Sequence, residues 1–359
     1  MTARLRAFLD SLPAYKAGRP ARVVEGVTSY KLSSNENHHL PLPSVLRAAE
    51  QALGDLHRYP DFASTALVEA LAGRFDVPPE HIAVGTGSVG LLQQLVQITS
   101  EPGTGVVHAW RSFEAYPIVT QIAGAHGQVV PLDADDRHDL AAMLAAIDDS
   151  TRIVLVCNPN NPTSTAVDRE SLSRFIAAVP SDILVVVDEA YVEFVDRTRI
   201  PDGLDFYRER ENVAVLRTFS KAYGLAALRV GYCIAHEPVA EALRKVQVPF
   251  GVSTIAQAAA IASLAAEDEL FERVQQIGRE RDRLADGLRD AGFVLAESEA
   301  NFVWLRLGDA TTDFAEHCTS QGLSLRPFAG EGVRITVGEP EANDRLLEVA
   351  GSWLSSVAR

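Results

Sequence analysis

Lys221 lies in the run Arg217-Thr218-Phe219-Ser220-Lys221-Ala222-Tyr223-Gly224, downstream of Asp188-Glu189-Ala190-Tyr191, which closes an apolar stretch. A lysine flanked by hydroxyls and glycine in this setting reads as an amine that condenses with an aldehyde to form an imine. Asp188 is then the natural partner for a protonated ring nitrogen on the aldehyde's carrier. A lysine in a Ser/Thr-rich turn is often merely exposed, so this reading depends on the residues around it.

Several other motifs fit the same chemistry. Gly85-Thr86-Gly87-Ser88 ends an apolar run and opens a helical one, where free N–H groups and a hydroxyl can cradle a phosphate. An ordinary capping serine would look the same. Asn158-Pro159-Asn160-Asn161-Pro162-Thr163 holds its amides in extended or turn geometry, and Asn161 can donate to a phenolate oxygen. Tyr191 follows Asp188 closely enough to address the same ring. Arg229, with Thr218 and Ser220, can complete a phosphate shell through its planar fork. Arg334, set between Val333 and Ile335, needs an anion, and a substrate carboxylate or an internal ion pair would serve. Arg326 is a weaker candidate of the same kind. Tyr59 and Phe113, aromatic residues in loops, are candidates for packing on a flat ring.

The elements that would position these residues are legible from periodicity. Short runs rich in β-branched residues at 81–85, 105–109, 128–132, 152–157, 183–187, 213–217 and 230–234 alternate with amphipathic stretches such as 89–99, 140–147 and 169–178. That alternation predicts an α/β fold with a mainly parallel sheet between helices, and ligands bind such sheets at the carboxyl ends of the strands. After 245 the texture changes to helices at 254–264 and 270–291, shorter strands at 302–307, 324–327 and 332–337, and a last helix at 341–357. The expected organisation is an N-terminal arm (1–35) lying on a neighbour, a large domain (36–245) and a smaller α+β domain (246–359).

The 359 residues are 47% apolar, enough for a large core, and carry a formal net charge of −15 with no basic tract. Nucleic acid and anionic membranes are therefore not expected partners. Cys157, Cys233 and Cys318 are far apart, so neither a disulfide framework nor a metal site is expected. No segment has the length and apolarity of a signal peptide or a membrane span, and the expected location is cytoplasmic.

Taken in order, the Gly-Ser cradle, loop aromatic, Asn-Pro-Asn-Asn-Pro-Thr, Asp-Glu-Ala-Tyr, Ser-Lys and Leu-Arg-Val-Gly-Tyr resemble the fold type I pyridoxal-phosphate aminotransferases across nearly the whole chain. Within that class the chain is similar to the histidinol-phosphate aminotransferase group. The resemblance implies that Lys221 holds pyridoxal 5'-phosphate covalently, that Asp188 pairs with its ring nitrogen, and that Asn161 and Tyr191 bond its phenolic oxygen. It further implies that Phe113 stacks on the ring and that Gly87, Ser88, Ser220, Arg229 and Thr218 hold the phosphate. By the same resemblance Tyr59 reaches the phosphate of a partner subunit in a homodimer. Asn37, Arg334, Tyr15 and Arg326 correspond to substrate contacts.

Ser164 and Ala227 stand where the family usually has glycine, and each adds only a small side chain. Asn-Pro-Thr-Ser, Trp110-Arg111-Ser112-Phe113-Glu114 and Arg326-Pro327-Phe328 resemble the actinobacterial aromatic amino acid aminotransferases. His38-His39-Leu40 departs from the usual histidinol-phosphate pattern. The expected activity is amino transfer between aromatic amino acids and 2-oxo acids, with histidinol phosphate as the alternative substrate. A lyase or decarboxylase on this fold would share every cofactor residue. A cofactor-sensing regulator would need a DNA-binding segment, which the acidic chain does not offer.

Overall fold

The structure is a computed structural model and describes residues 3–16, 18 and 20–357. Its strands in chain order are β1 (Tyr30–Lys31), β2 (Ile82–Gly85), β3 (Gly105–Trp110), β4 (His126–Pro131), β5 (Thr151–Cys157), β6 (Leu184–Asp188), β7 (Val213–Thr218), β8 (Gly231–Ile234), β9 (Phe302–Arg306), β10 (Leu323–Ser324), β11 (Arg326–Phe328) and β12 (Gly332–Thr336). A seven-stranded sheet has the order β2-β8-β7-β6-β5-β3-β4, in which β8 alone runs antiparallel to its neighbours. The expected α/β fold with a mainly parallel sheet is borne out, as is the small sheet near the C-terminus, β11-β12-β9, which is antiparallel.

The near-continuous Val, Ile and Leu content of β5, β6 and β7 has a direct cause. Both faces of the sheet are covered, so both sets of alternating side chains must be apolar. Val154, Val156, Val185, Val187, Val213 and Val215 feed one core. Ile153, Leu155, Leu184, Val186, Ala214 and Leu216 feed the other. Hydrogen bonding then fixes the register that builds the site: Cys157 lies opposite Asp188, Asp188 opposite Leu216, and Thr218 opposite Gly231.

Two features differ from the sequence expectation. The run at 324–327 is not one strand: β10 pairs with β1, β11 pairs with β12, and buried Leu325 joins them. Apolar and polar residues alternate without a break from Leu323 to Arg326, so the change of sheet leaves no mark in that pattern. Residues 30–35 of the expected arm also lie within this chain's own fold. β1 is a strand of it, Leu32 is 1% exposed, and Asn35 is fully buried.

The helices Pro43–Ala52, Thr65–Phe75, Ala115–Ala123, Gly203–Glu209, Glu237–Val246 and Thr311–Ser320 were not among the expected ones. All but Gly203–Glu209 start without a capping side-chain hydrogen bond, so the usual start signal is missing. The helix Thr254–Ala265 packs on Pro43–Ala52 and Thr65–Phe75. Beneath the site, Arg217 and Glu189 form a fully buried ion pair at 2.7 Å. Arg217 also reaches Asp202, so neither buried charge stands alone.

Candidate active site

A cavity of about 290 Å³ opens where β2, β3, β5, β6 and β7 end, with β11 and β12 closing its far side. Lys221, Asp188, Tyr191, Ser88, Phe113, Asn161, Thr218, Ser220, Arg229, Arg326, Arg334 and Tyr15 all line it. The sheet explains this gathering. Parallel strands deliver their following turns to one edge, so motifs far apart in sequence meet there.

Asp188 is the last residue of β6 and is 4% exposed. Its Oδ2 accepts a hydrogen bond from the Tyr116 hydroxyl at 2.9 Å. Its Oδ1 is buried with no partner. Burial pushes the carboxyl up to about 6, with the Glu189 charge adding to the rise and the Tyr116 hydrogen bond opposing it. A buried carboxylate oxygen without a donor is costly, and a protonated ring nitrogen is the kind of donor that would relieve it.

Lys221 is partly buried, and its Nζ donates to the Ser34 carbonyl at 3.3 Å. Its pKa is lowered to about 7, chiefly by desolvation and then by the charges of Arg334 and Arg229. The neutral, nucleophilic amine is therefore well populated at neutral pH.

At the opposite end, Ser88 stands in the first turn of the helix Gly87–Thr99. The Ser220 N–H donates to Thr218 Oγ1 at 3.1 Å, and Arg229 Nη1 donates to Ser220 Oγ at 3.3 Å. Gly87 has a φ of +77°, and a Cβ there would meet Arg229 Nη2 at 2.5 Å, so glycine leaves room for the guanidinium beside the helix N-terminus. Helix dipole, hydroxyls and arginine together make an anion cradle. Asp188, Lys221 and this cradle fit a flat, protonatable ring bearing an aldehyde and a phosphate.

Arg334 is 8% exposed and donates to Asn161 Oδ1 at 2.6 Å and to the Ser33 carbonyl at 2.7 Å, while its Nε is buried without a partner. Among the described residues no acidic group pairs with it. It is a buried cation facing a cavity, suited to a carboxylate. Asn161 spends its carbonyl oxygen on Arg334, which leaves its NH2 group as the donor it can offer a ligand.

Two expected side chains do not line this chain's own cavity, and one of them, Tyr59, is expected at the phosphate of a partner subunit. Tyr59 is 81% exposed and stacks on Phe250 with ring centroids 4.6 Å apart, outside the cavity. Asn37 does not line the cavity either: its amide donates to the Ala222 carbonyl at 2.8 Å, and its oxygen accepts the His39 N–H. That geometry makes Asn37 a tie between loops, next to the Lys221 turn. Tyr15 lies at the mouth and is 58% exposed.

Two residues of the site escaped the sequence reading. Tyr116 sits one helical turn after Phe113, in a helix without a start signal. Asn35 Nδ2 donates to the Tyr191 hydroxyl at 2.9 Å, and its backbone N–H donates to Thr336 Oγ1 at 2.9 Å. The adjacent Ser34-Asn35-Glu36-Asn37 run offered two asparagines, and only burial separates them.

Comparison with known proteins agrees with this geometry. The chain is 60% identical to an aromatic amino acid aminotransferase of Streptomyces coelicolor, over 97% of this chain and 96% of the relative. It is 57% identical to one of Thermobifida fusca, over 97% of each. A solved histidinol-phosphate aminotransferase from Sinorhizobium meliloti, in complex with pyridoxal-5'-phosphate, superposes with a TM-score of 0.84 at 34% identity, covering 90% of this chain and 91% of that one. With residues 28–349 matching the family itself, the chain belongs to the aminotransferases of class I and II.

Proposed function

We propose that this aminotransferase uses pyridoxal 5'-phosphate to move an amino group between aromatic amino acids and 2-oxo acids such as 2-oxoglutarate. The observation that carries the cofactor assignment is the buried, unpartnered Asp188 oxygen in one cavity with a lysine whose pKa is lowered to about 7. The aromatic substrate class is supported by the names of the relatives that are 52–60% identical over nearly their full length.

When bound, the cofactor supplies an electron sink for the pair left on the substrate Cα. The chain's residues do the rest. Asp188 Oδ1 would accept the ring N–H and keep that nitrogen protonated. Ser88, Thr218, Ser220 and Arg229 would hold the phosphate, and Phe113 would pack on the ring. Arg334 grips the substrate carboxylate and so fixes the direction of the Cα–H bond. The Lys221 amine, when free of its covalent link, would be the base that takes the proton from the substrate Cα. Two half-reactions through one site imply ping-pong kinetics.

The same proposal includes a homodimer to which Tyr59 contributes, a cytoplasmic location, and the division into an arm (1–35), a large domain (36–245) and a small domain (246–359). Among the described residues, no helix is long and apolar enough to cross a membrane.

A kcat/KM panel tests the substrate assignment. Phenylpyruvate and 4-hydroxyphenylpyruvate with glutamate are expected to exceed histidinol phosphate with 2-oxoglutarate. The reverse order moves the protein to histidinol phosphate.

The Lys221 pKa also has a kinetic signature. Only the neutral amine attacks an aldehyde, and a pKa near 7 makes it half neutral there. Covalent capture of pyridoxal phosphate by the cofactor-free chain should fall about tenfold per pH unit below ~6 and level off above ~8. Stopped-flow absorbance across pH 5 to 10 checks this. A rate still climbing tenfold per unit at pH 9 would mean an ordinary lysine.

A further inference from the structure

Arg326 and Arg334 are directly opposite each other on the antiparallel β11–β12 pair, so two guanidinium groups stand side by side on one wall of the cavity. Like charges in that relation repel. The two are treated differently by their surroundings. Arg334 bonds only neutral acceptors, Asn161 and Ser33. Arg326 Nη2 donates to Glu114 Oε2 at 2.6 Å, with side-chain exposures of 11% and 24%. Glu114 itself lines the cavity, and it follows Phe113 directly in the chain.

The rest of this wall is apolar or already neutralised. Phe328 lines the cavity, and the Arg326 guanidinium lies 5.3 Å from its ring centroid. Arg111, whose guanidinium lies 5.2 Å from the same ring centroid, is paired with Glu331. Among the described residues of β11 and β12 that line this wall, Arg334 is the cation without an acidic partner, and it is suited to the α-carboxylate.

We propose that Glu114 is a specificity-determining residue: by occupying Arg326 it makes the subsite beyond Arg334 electrically neutral, favouring uncharged, flat side chains over those that carry a second anion. The inference rests on the aminotransferase reading above. An anionic side chain placed there, that of the co-substrate 2-oxoglutarate included, has to draw Arg326 from a carboxylate that is already well bonded and partly desolvated, a cost an uncharged side chain does not meet. An aromatic side chain leaves the pair intact and packs on Phe328 and the arginine faces. Glu114→Gln keeps the shape, removes the charge, and releases Arg326 to an incoming anion.

The experiment uses the holoenzyme and two non-reacting probes, glutarate and 3-phenylpropionate, with Kd measured by calorimetry. Glu114→Gln is expected to shift the Kd ratio toward glutarate by about tenfold or more. The kcat/KM ratio of glutamate to phenylalanine should shift in the same direction, mainly through KM. The double variant Glu114→Gln, Arg326→Gln should return both ratios toward the wild type, because the released cation is gone. A purely structural Glu114 would weaken both probes alike and leave the ratios unmoved, and that result overturns the proposal. If Glu114→Gln does not fold, Arg326→Gln alone decides: stranding the Glu114 charge must weaken glutarate more than 3-phenylpropionate, and equal loss overturns the assignment. Failure of the underlying reading looks different, since wild-type holoenzyme would then not turn over phenylalanine at all.

Discussion

Lys221→Ala is expected to lose transamination by about four orders of magnitude or more, because one side chain supplies both the covalent anchor and the proton carrier. Nothing nearby can stand in. Among the described residues the other basic side chains of the cavity, Lys16 apart, are Arg229, Arg326 and Arg334, whose guanidinium groups offer donors and no acceptor for the Cα proton. Lys16 is exposed and lies with Tyr15 toward the mouth. The measurement has two parts. Steady-state turnover with phenylalanine and 2-oxoglutarate should vanish into background. Borohydride treatment of the reconstituted protein should add the cofactor's mass to the wild type and not to the variant. A variant that still acquires that mass would locate the anchor elsewhere. Folding should survive, since desolvation already disfavours the Lys221 charge and Ala removes it.

Asp188→Asn should separate function from stability. The amide keeps the shape and the Tyr116 contact but cannot hold a ring nitrogen in its protonated form. Loss of that fixed charge should lower kcat by about a thousandfold while the cofactor still binds through Lys221 and the phosphate cradle. Stability of the cofactor-free chain should move the other way. The Asp188 carboxyl is raised to about 6 from its ordinary 3.8 by burial. For an acid shifted upward, the cost of burying its charge is absent below pH ~4, grows between ~4 and ~6, and is full above ~6. Asn should therefore stabilise the empty chain by up to about 3 kcal/mol at neutral pH, with the gain fading as pH falls from ~6 to ~4. Urea unfolding of both proteins at pH 4 and pH 7.5 tests this. A variant less stable than wild type at both pH values would show that Asp188 is satisfied without a ligand.

The seven large-sheet strands and the order of the motifs are properties of the sequence, because local rules suffice for them. Buried parallel strands must be apolar on both sides, and turns that present amides or hydroxyls must follow them. Hence Lys221, Asp188, Ser88, Asn161 and Arg229 could be named before any coordinates. Arg334 was also legible, since a cation between two apolar residues of a strand needs an explanation.

What remained hidden depends on distance through space. Tyr116 contacts Asp188 from 72 positions away along the chain, and its helix begins without a cap. Asn35 and Asn37 are chemically identical in the sequence, and only the packing of residues 30–35 on β10 and β12 buries the first and leaves the second in a loop. The division at Leu325, which puts Ser324 and Arg326 in different sheets, is likewise invisible to hydropathy. Most consequential is the charge of the substrate subsite. Residue types alone show Arg326, Arg334 and Glu114. Which arginine is neutralised and which stays available is set by β11–β12 register and by the turn after β3, because Coulomb attraction acts between positions that only the tertiary fold brings within bonding distance.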